Sequence, residues 1–420
     1  MRSPTKRHGG LLAGAVVLAL ALVAVGCTGD DDDARTTTTL AGAVTTTTAP
    51  ERVSDGRLKI GIFLPRTGPG ADLGEPMIAA VEDAIATINA SGGVLGEPVD
   101  SAILDEGAGT GPSALLAENV DAIVGPASSN VALSQLSSIV QPGNGVVTCS
   151  PTATALLLDD YPDNGYFFRT APSDSLQMVA LARLAREEGV TSVAVGYLDD
   201  PYGRGLVDAF SDEARSRGIT IVAEEGFSSD QDDLSETAAA MLEQQPGVVV
   251  VLGDADDGAR LLAALDADPA SSSVRRFIVN DAIRTARSTI QALSPLFRTR
   301  LTGVAPLAVS PRTNGPPGFF TSHAIDCVNL IALAAMTAQS DDPDDIQVRM
   351  APVGSGGAEC RSFESCGAFI ADLLDIDYDG ASGDVELSNS AGDPVSGWFE
   401  EFEFSEDGLE TNSRQFEVRG

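Results

Sequence analysis

Positive charge is the scarcest property of this chain. Across 420 residues there are 26 lysines and arginines against 61 aspartates and glutamates, for a formal net charge of −35. Lysine occurs only as Lys6 and Lys59, and histidine only as His8 and His323. A field of this sign repels phosphate backbones, which excludes general nucleic-acid binding. Two histidines cannot build a histidine-rich zinc site, and a Ser-His-Asp triad would have to run through His323. That residue lies in the helix-like stretch Phe319–Thr337, where it reads as structural, and no Gly-x-Ser-x-Gly elbow occurs. Neither hydrolytic chemistry nor a metal or other cofactor is expected.

Hydrophobic residues make up 43% of the chain, enough for a sizeable core in two or three domains. The N-terminus carries Arg2, Lys6 and Arg7, then the apolar run Leu11–Val25, then Ala24-Val25-Gly26-Cys27. The run suits a signal-peptide core and is short for a membrane span. Its ending resembles a bacterial lipobox, in which the cysteine thiol takes a diacylglycerol. Residues 1–26 are therefore expected to be a lipoprotein signal peptide and Cys27 the lipidation site. The protein would then be exported and anchored to the outer face of the cell membrane. Residues 27–56 read as a disordered tether, with Asp30–Asp33 and threonine runs at Thr36–Thr39 and Thr45–Thr48. A coil of this length spans about 30 Å.

Four further cysteines suit an oxidising compartment. Cys360 and Cys366 close a short loop and form the first expected disulfide. For Cys149 and Cys327, a second disulfide and two buried thiols are both open.

From residue 57, short apolar runs alternate with amphipathic stretches. Leu58–Leu64 reads as a buried strand and Glu75–Asn89 as a helix; Ala122–Val124 and Val146–Cys149 are further strands, with helices near Val131–Val140 and Ala153–Leu158. A second series runs from the helix Leu176–Glu188 to the strand Phe277–Val279, and Ala324–Thr337 reads as a buried helix. Strands alternating with helices imply βαβ units, so the fold class is α/β with two doubly wound parallel-sheet lobes. The final segment alternates instead, around Gly392-Asp393-Pro394, and reads as a hairpin.

In such sheets, ligands bind beyond the carboxyl ends of the strands. The corresponding loops of the first series contain Thr67-Gly68-Pro69-Gly70, Gly125-Pro126-Ala127-Ser128-Ser129-Asn130 and Ser150-Pro151-Thr152-Ala153-Thr154. Hydroxyls and backbone N–H groups at helix starts suit a small anion. The second series offers Asp199, Asp254 and Asp281, which suit an ammonium. Together these fit a zwitterion held in a cleft, although the same residue types are ordinary helix caps.

These loops, in this order, resemble the branched-chain amino-acid-binding family, the type I substrate-binding proteins of ABC transporters. The similarity runs from about Leu58 to Phe404. It is carried by Lys59-Ile60-Gly61-Ile62 through Thr67-Gly68-Pro69, Ile88-Asn89-Ala90-Ser91-Gly92-Gly93-Val94-Leu95-Gly96, Ile123-Val124-Gly125-Pro126, Ser150 to Thr154, Phe168-Arg169-Thr170, and Asp200-Pro201-Tyr202-Gly203-Arg204-Gly205. The resemblance implies two lobes joined by three crossovers. Lobe one would hold residues 57–171 and 304–345, and lobe two residues 172–303 and 346–420. It places the ligand carboxylate on Ser128 or Ser129 with Thr152, Ala153 and Thr154. It also places a covering ring on Tyr202 and the ammonium partner on Asp281. Leu73 and Asp254 stand where family members carry aromatic residues, which points to a ligand more polar than leucine.

The resemblance implies a solute-capture protein, with no catalysis, that takes a small polar solute, an amino acid or related zwitterion or amide, between its two lobes and delivers it to ABC permease subunits; a monomer is expected. A sensor of the same fold feeding a membrane signalling partner is the alternative. A dinucleotide-dependent enzyme is the remote one, because Gly68-Pro69-Gly70 and Gly74 mimic a Rossmann fingerprint with the wrong spacing.

Overall fold

The computed structural model describes residues 54–68, 70–141, 144–307 and 319–420, with 412 and 413 described by backbone alone. The expected leader, the lipidation site Cys27, the tether up to residue 53, and Pro69 lie outside the described residues.

The first series comprises β1 (Lys59–Leu64), α1 (Ala71–Ala90), β2 (Asp100–Asp105), α2 (Ser113–Ala117), β3 (Ala122–Val124), α3 (Ser129–Ile139), β4 (Val147–Ser150) and β5 (Phe167–Arg169). The second begins with α4 (Asp174–Glu187), β6 (Ser192–Leu198), α5 (Pro201–Ser216), β7 (Thr220–Phe227), α6 (Ser235–Glu243) and β8 (Val248–Leu252). It continues through α7 (Ala255–Ala267), β9 (Arg276–Val279), α8 (Asp281–Arg284), α9 (Arg287–Ala292), α10 (Pro295–Arg298) and β10 (Leu301–Pro306). Then come α11 (Thr321–Ala338), α12 (Pro343–Met350), β11 (Ala358–Cys360), α13 (Phe363–Ala371), β12 (Ile376–Tyr378), β13 (Ser396–Phe404) and β14 (Glu410–Arg419).

The strands form two principal sheets. One has the order β2-β1-β3-β4-β5, all parallel; the other is β14-β13-β10-β9-β8-β6-β7, in which only β13 and β14 run antiparallel to their neighbours. The central strands read as continuous apolar runs because helices cover both faces, and Val248–Leu252 is buried at every position. Each sheet reverses its strand order once, at β1/β3 and at β6/β8. These are the switch points where the loops open a crevice. The fold is the expected pair of doubly wound lobes.

The chain passes between the sheets three times: after β5, after β10, and before β13. This alters the expected segment assignment in two places. Strand β10 joins the second sheet, although 304–345 was expected with the first lobe. Residues 346–387, expected with the second lobe, contribute Ile346, Met350, Phe363, Tyr378 and Leu387 to the first core. The physical reason is α11, buried along nearly its whole length, against which α12 and α13 pack. Asp326 on α11 anchors this appended segment, accepting hydrogen bonds from Tyr378 Oη, Ala381 N and Ser382 N and Oγ.

Both cysteine pairs are disulfides. Cys149–Cys327 ties β4 to α11 across 178 residues, and Cys360–Cys366 closes a short loop in the appended segment. Three local expectations change. Only Leu156–Leu158 of the expected helix Ala153–Leu158 is helical, as one 3-10 turn. Trp398–Phe404 pairs with β14 and β10 and not with 385–387, which contribute a single bridge, Leu387 to Pro394. Residues 54–56, expected within the tether, are docked: Asp55 and Gly56 donate backbone N–H groups to Asp341 Oδ2 at 3.0 and 2.9 Å.

Candidate functional site between the two sheets

The switch-point loops are set by two glycines. A Cβ at Gly74 would lie 1.8 Å from Pro65 O, and one at Gly203 would lie 2.0 Å from Leu198 O. Only glycine lets the first turns of α1 and α5 press against the ends of β1 and β6. On α5, Asp200 caps the helix by accepting from Gly203 N at 2.7 Å, and Pro201 pre-sets the first turn. Tyr202 is thereby held in place, and its side chain packs against both the first-sheet core and the second.

Around the Tyr202 ring, the structure gathers four polar side chains from the end of β9 and the first turns of α8 and α4. Asn280, fully buried at the end of β9, exchanges hydrogen bonds with the Gly253 backbone and donates to Tyr202 Oη at 3.4 Å. Asp281 opens α8 and is half-buried. Asp174 opens α4 and is 1% exposed; its backbone N–H donates to Thr154 O at 2.9 Å, and its Oδ2 has no partner among the described residues. Gln177, one turn further along α4, is equally buried; it donates to Val304 O, and its Oε1 has no partner among the described residues.

Burial pushes the Asp174 carboxyl well above the usual carboxylate range, and the nearby Asp281 charge pushes the same way, against hydrogen bonding from Thr154. Burial also raises Asp281, opposed by Gln177 and by backbone N–H groups. Desolvation and the charges of Asp174 and Asp281 hold the Tyr202 phenol well above its ordinary value. Two carboxyls, a phenol and an amide form a cluster in which two acceptor oxygens, Asp174 Oδ2 and Gln177 Oε1, are left unpaired among the described residues. An ammonium, with a charge and three N–H donors, satisfies such a set.

The expected anion side is a rigid platform whose groups are mostly engaged within the chain. Glu106 is buried, and its carboxylate accepts from Ala127 N at 2.7 Å and Ser128 N at 2.8 Å. Burial raises its pKa, although the two N–H groups oppose the shift. Ser128 Oγ caps α3 by accepting from Val131 N, Ser129 Oγ accepts from Ala155 N, and Thr152 Oγ1 donates to Ala127 O. Ser150 Oγ takes Ala153 N at 2.9 Å. The capping reading holds for Ser128. Thr154 is the member of this set that reaches the acidic cluster.

Beside Asp281 opens a cavity of about 570 Å³. Leu73 and Pro76 from α1, Ala305 and Pro306 from the end of β10, and Phe319 and Phe320 ahead of α11 give it largely apolar walls, with Asp72, Arg284 and Thr285 also present. Asp254 does not line it; this exposed residue caps α7 by accepting from Asp257 N at 3.0 Å. Of the residues expected from the sequence, Thr154, Tyr202 and Asp281 come together at this cluster and Leu73 lines the adjoining cavity; Asp174, Gln177, Phe319 and Phe320, which the sequence did not single out, stand beside them. Asp174 precedes the expected helix Leu176–Glu188, and Phe319 and Phe320 stand at the start of the helix-like stretch Phe319–Thr337.

A crevice of this kind, between two doubly wound sheets crossed three times, has counterparts among known proteins. A family profile described as periplasmic binding protein matches residues 57–278. The chain belongs to that family. It is 30% identical over 217 residues to the Leu/Ile/Val-binding protein BraC3 of Rhizobium johnstonii, covering 50% of this chain and 58% of that one. It is 26% identical over 351 residues to a Leu/Ile/Val-binding protein homolog of Brucella melitensis, covering 78% and 87%. An ABC transporter substrate-binding protein of Desulfitobacterium hafniense, solved with Leu, superposes with a TM-score of 0.64 at 21% identity, covering 85% of this chain and all of that one.

Proposed function

We propose that the protein is an extracytoplasmic capture protein for an α-amino acid. The carrying observation is the set Asp174, Asp281 and Tyr202 in the cleft, where two buried acceptors, Asp174 Oδ2 and Gln177 Oε1, have no hydrogen-bond partner among the described residues. The ligand ammonium sits between Asp174 and Asp281 under the Tyr202 ring. Its carboxylate lies against the loops of Ser129 and Thr152–Thr154. Closure of the two lobes on contacts from both gives the affinity.

In this reading the captured solute is handed to ABC permease subunits and the protein performs no catalysis. Residues 1–26 direct export, and the lipid on Cys27 with the tether after it holds a monomer at the outer face of the membrane, which raises its concentration near the permease. The test is a thermal-shift screen over L-amino acids, amides, small aromatic acids and polyamines, followed by calorimetry. Asp281→Asn should weaken an amino-acid ligand at least tenfold; unchanged affinity removes Asp281 from the site. The apolar walls of the adjoining cavity run against the polar ligand expected from Leu73 and Asp254.

A further inference from the structure

We propose that the ligand's side chain is aromatic or comparably bulky and apolar, a refinement that rests on the amino-acid reading above. An amine held at Asp281 directs the rest of its molecule into the cavity that Asp281 itself lines. A volume of about 570 Å³ lies within the range that accommodates drug-sized molecules, roughly 300–1,000 Å³. A three- or four-carbon aliphatic chain leaves much of that space without contact partners, and the dispersion energy of the walls goes unused.

The walls themselves select for a ring. Phe319 is 44% exposed although it borders the cavity, so much of its apolar ring stays open to a ligand. Phe320 adopts a left-handed backbone conformation, φ 59° and ψ 7°, a strained arrangement for a bulky residue. Its ring is backed by His323, with centroids 5.3 Å apart and planes tilted by 56°. The strained backbone and the supporting ring together hold a firm aromatic face. Edge-to-face or offset contacts with such a face favour another ring.

The cavity offers little to a charged side chain. Arg284 stands over the Phe319 ring at 5.3 Å, but its guanidinium already pairs with Glu400 at 2.7 Å and with Glu410. An acidic ligand group would have to compete with two carboxylates. Asp72, the other charged wall residue besides Asp281, is exposed to water, where an ion pair is worth little.

The test is calorimetry on the purified protein with L-phenylalanine, L-tryptophan, L-leucine, L-valine and L-glutamate. Phenylalanine or tryptophan should bind at least tenfold tighter than leucine, valine or glutamate. Phe320→Ala, and the exposed Phe319→Ala as a variant that spares the fold, should each lower that preference to about threefold or less while valine affinity changes little. Leucine or valine binding as tightly as the aromatic amino acids overturns the inference and leaves the amino-acid reading standing. Binding of benzoate, with none of the amino acids bound, overturns both.

Discussion

Arg169 and Asp393 stand 224 residues apart in sequence and meet in a bidentate ion pair, Nε to Oδ1 at 2.6 Å and Nη2 to Oδ2 at 2.5 Å. Arg169 ends β5 at the first crossover, and Asp393 lies in the third. The same guanidinium donates to Ala153 O, Ala155 O and Asp159 Oδ1. One fully buried side chain thus ties two hinge segments to the loop carrying Thr152 and Thr154.

Removing one partner of this pair leaves a buried charge undercompensated, which typically costs about 3–5 kcal/mol. Asp393→Asn should therefore lower the midpoint of urea unfolding strongly. Arg169→Lys should do so as well, because a single ammonium cannot serve two carboxylates and two carbonyls in the fixed geometry of a guanidinium. An unchanged midpoint in both variants contradicts the role assigned to Arg169.

Asp174 should matter as much as Asp281. Asp174→Asn keeps the shape and removes a buried counter-charge, an effect on the order of 2–5 kcal/mol in affinity. Calorimetry of the variant against the best amino-acid ligand should show at least a tenfold loss, with secondary structure by circular dichroism unchanged.

The same pair fixes the pH response of binding. In the free protein, burial holds the Asp174 and Asp281 carboxyls above the ordinary range, and the Asp281 charge raises Asp174 further. An ammonium binds the ionised forms, so protons leave as it enters. Affinity should fall as pH drops from neutral into the raised titration range of the pair. Calorimetry in buffers of different ionisation enthalpy should register proton release, and proton uptake would reverse the assignment.

The central sheets were legible because fully buried parallel strands leave unbroken apolar runs such as Val248–Leu252. Strand β14 was not, because Glu410, Arg414, Glu417 and Arg419 on an edge strand hide its alternation. The appended segment 346–387 escaped assignment for another reason. Its placement depends on Asp326 and Tyr378, which meet only after α11 is buried. At the site, Asp281 and Tyr202 follow strands directly and could be found by position. Asp174 begins a helix just after Ser173, where local capping explains an acid equally well. The loops after β3 and β4 were readable as polar, but not that Glu106 fills their N–H groups from another strand's end.

His323 gives the fold a separate acid sensitivity. Burial lowers its pKa to about 4 from 6.5, so between these values the folded state binds fewer protons than the unfolded. Its contribution is fully present above pH 6.5 and lost as pH falls toward 4, on the order of 3 kcal/mol in all. His323→Leu should lose less stability than the parent when urea unfolding is compared at pH 7 and pH 4.5. An equal loss in both proteins rejects the assignment.

The Cys149–Cys327 bridge closes a loop spanning 178 residues and fastens the strand before the Thr152–Thr154 loop to α11. The double substitution Cys149→Ser/Cys327→Ser should cost about 2–4 kcal/mol, and more than removing the short Cys360–Cys366 loop. Scanning calorimetry of the two double variants compares them directly.

The most direct test is a crystal structure of the protein with its tightest amino-acid ligand. The ligand nitrogen should lie within charge-assisted hydrogen-bond distance, about 2.7–2.9 Å, of carboxylate oxygens of both Asp174 and Asp281, with the Tyr202 ring over it. A ligand whose carboxylate faces Asp281, or one seated away from both aspartates, would contradict the account.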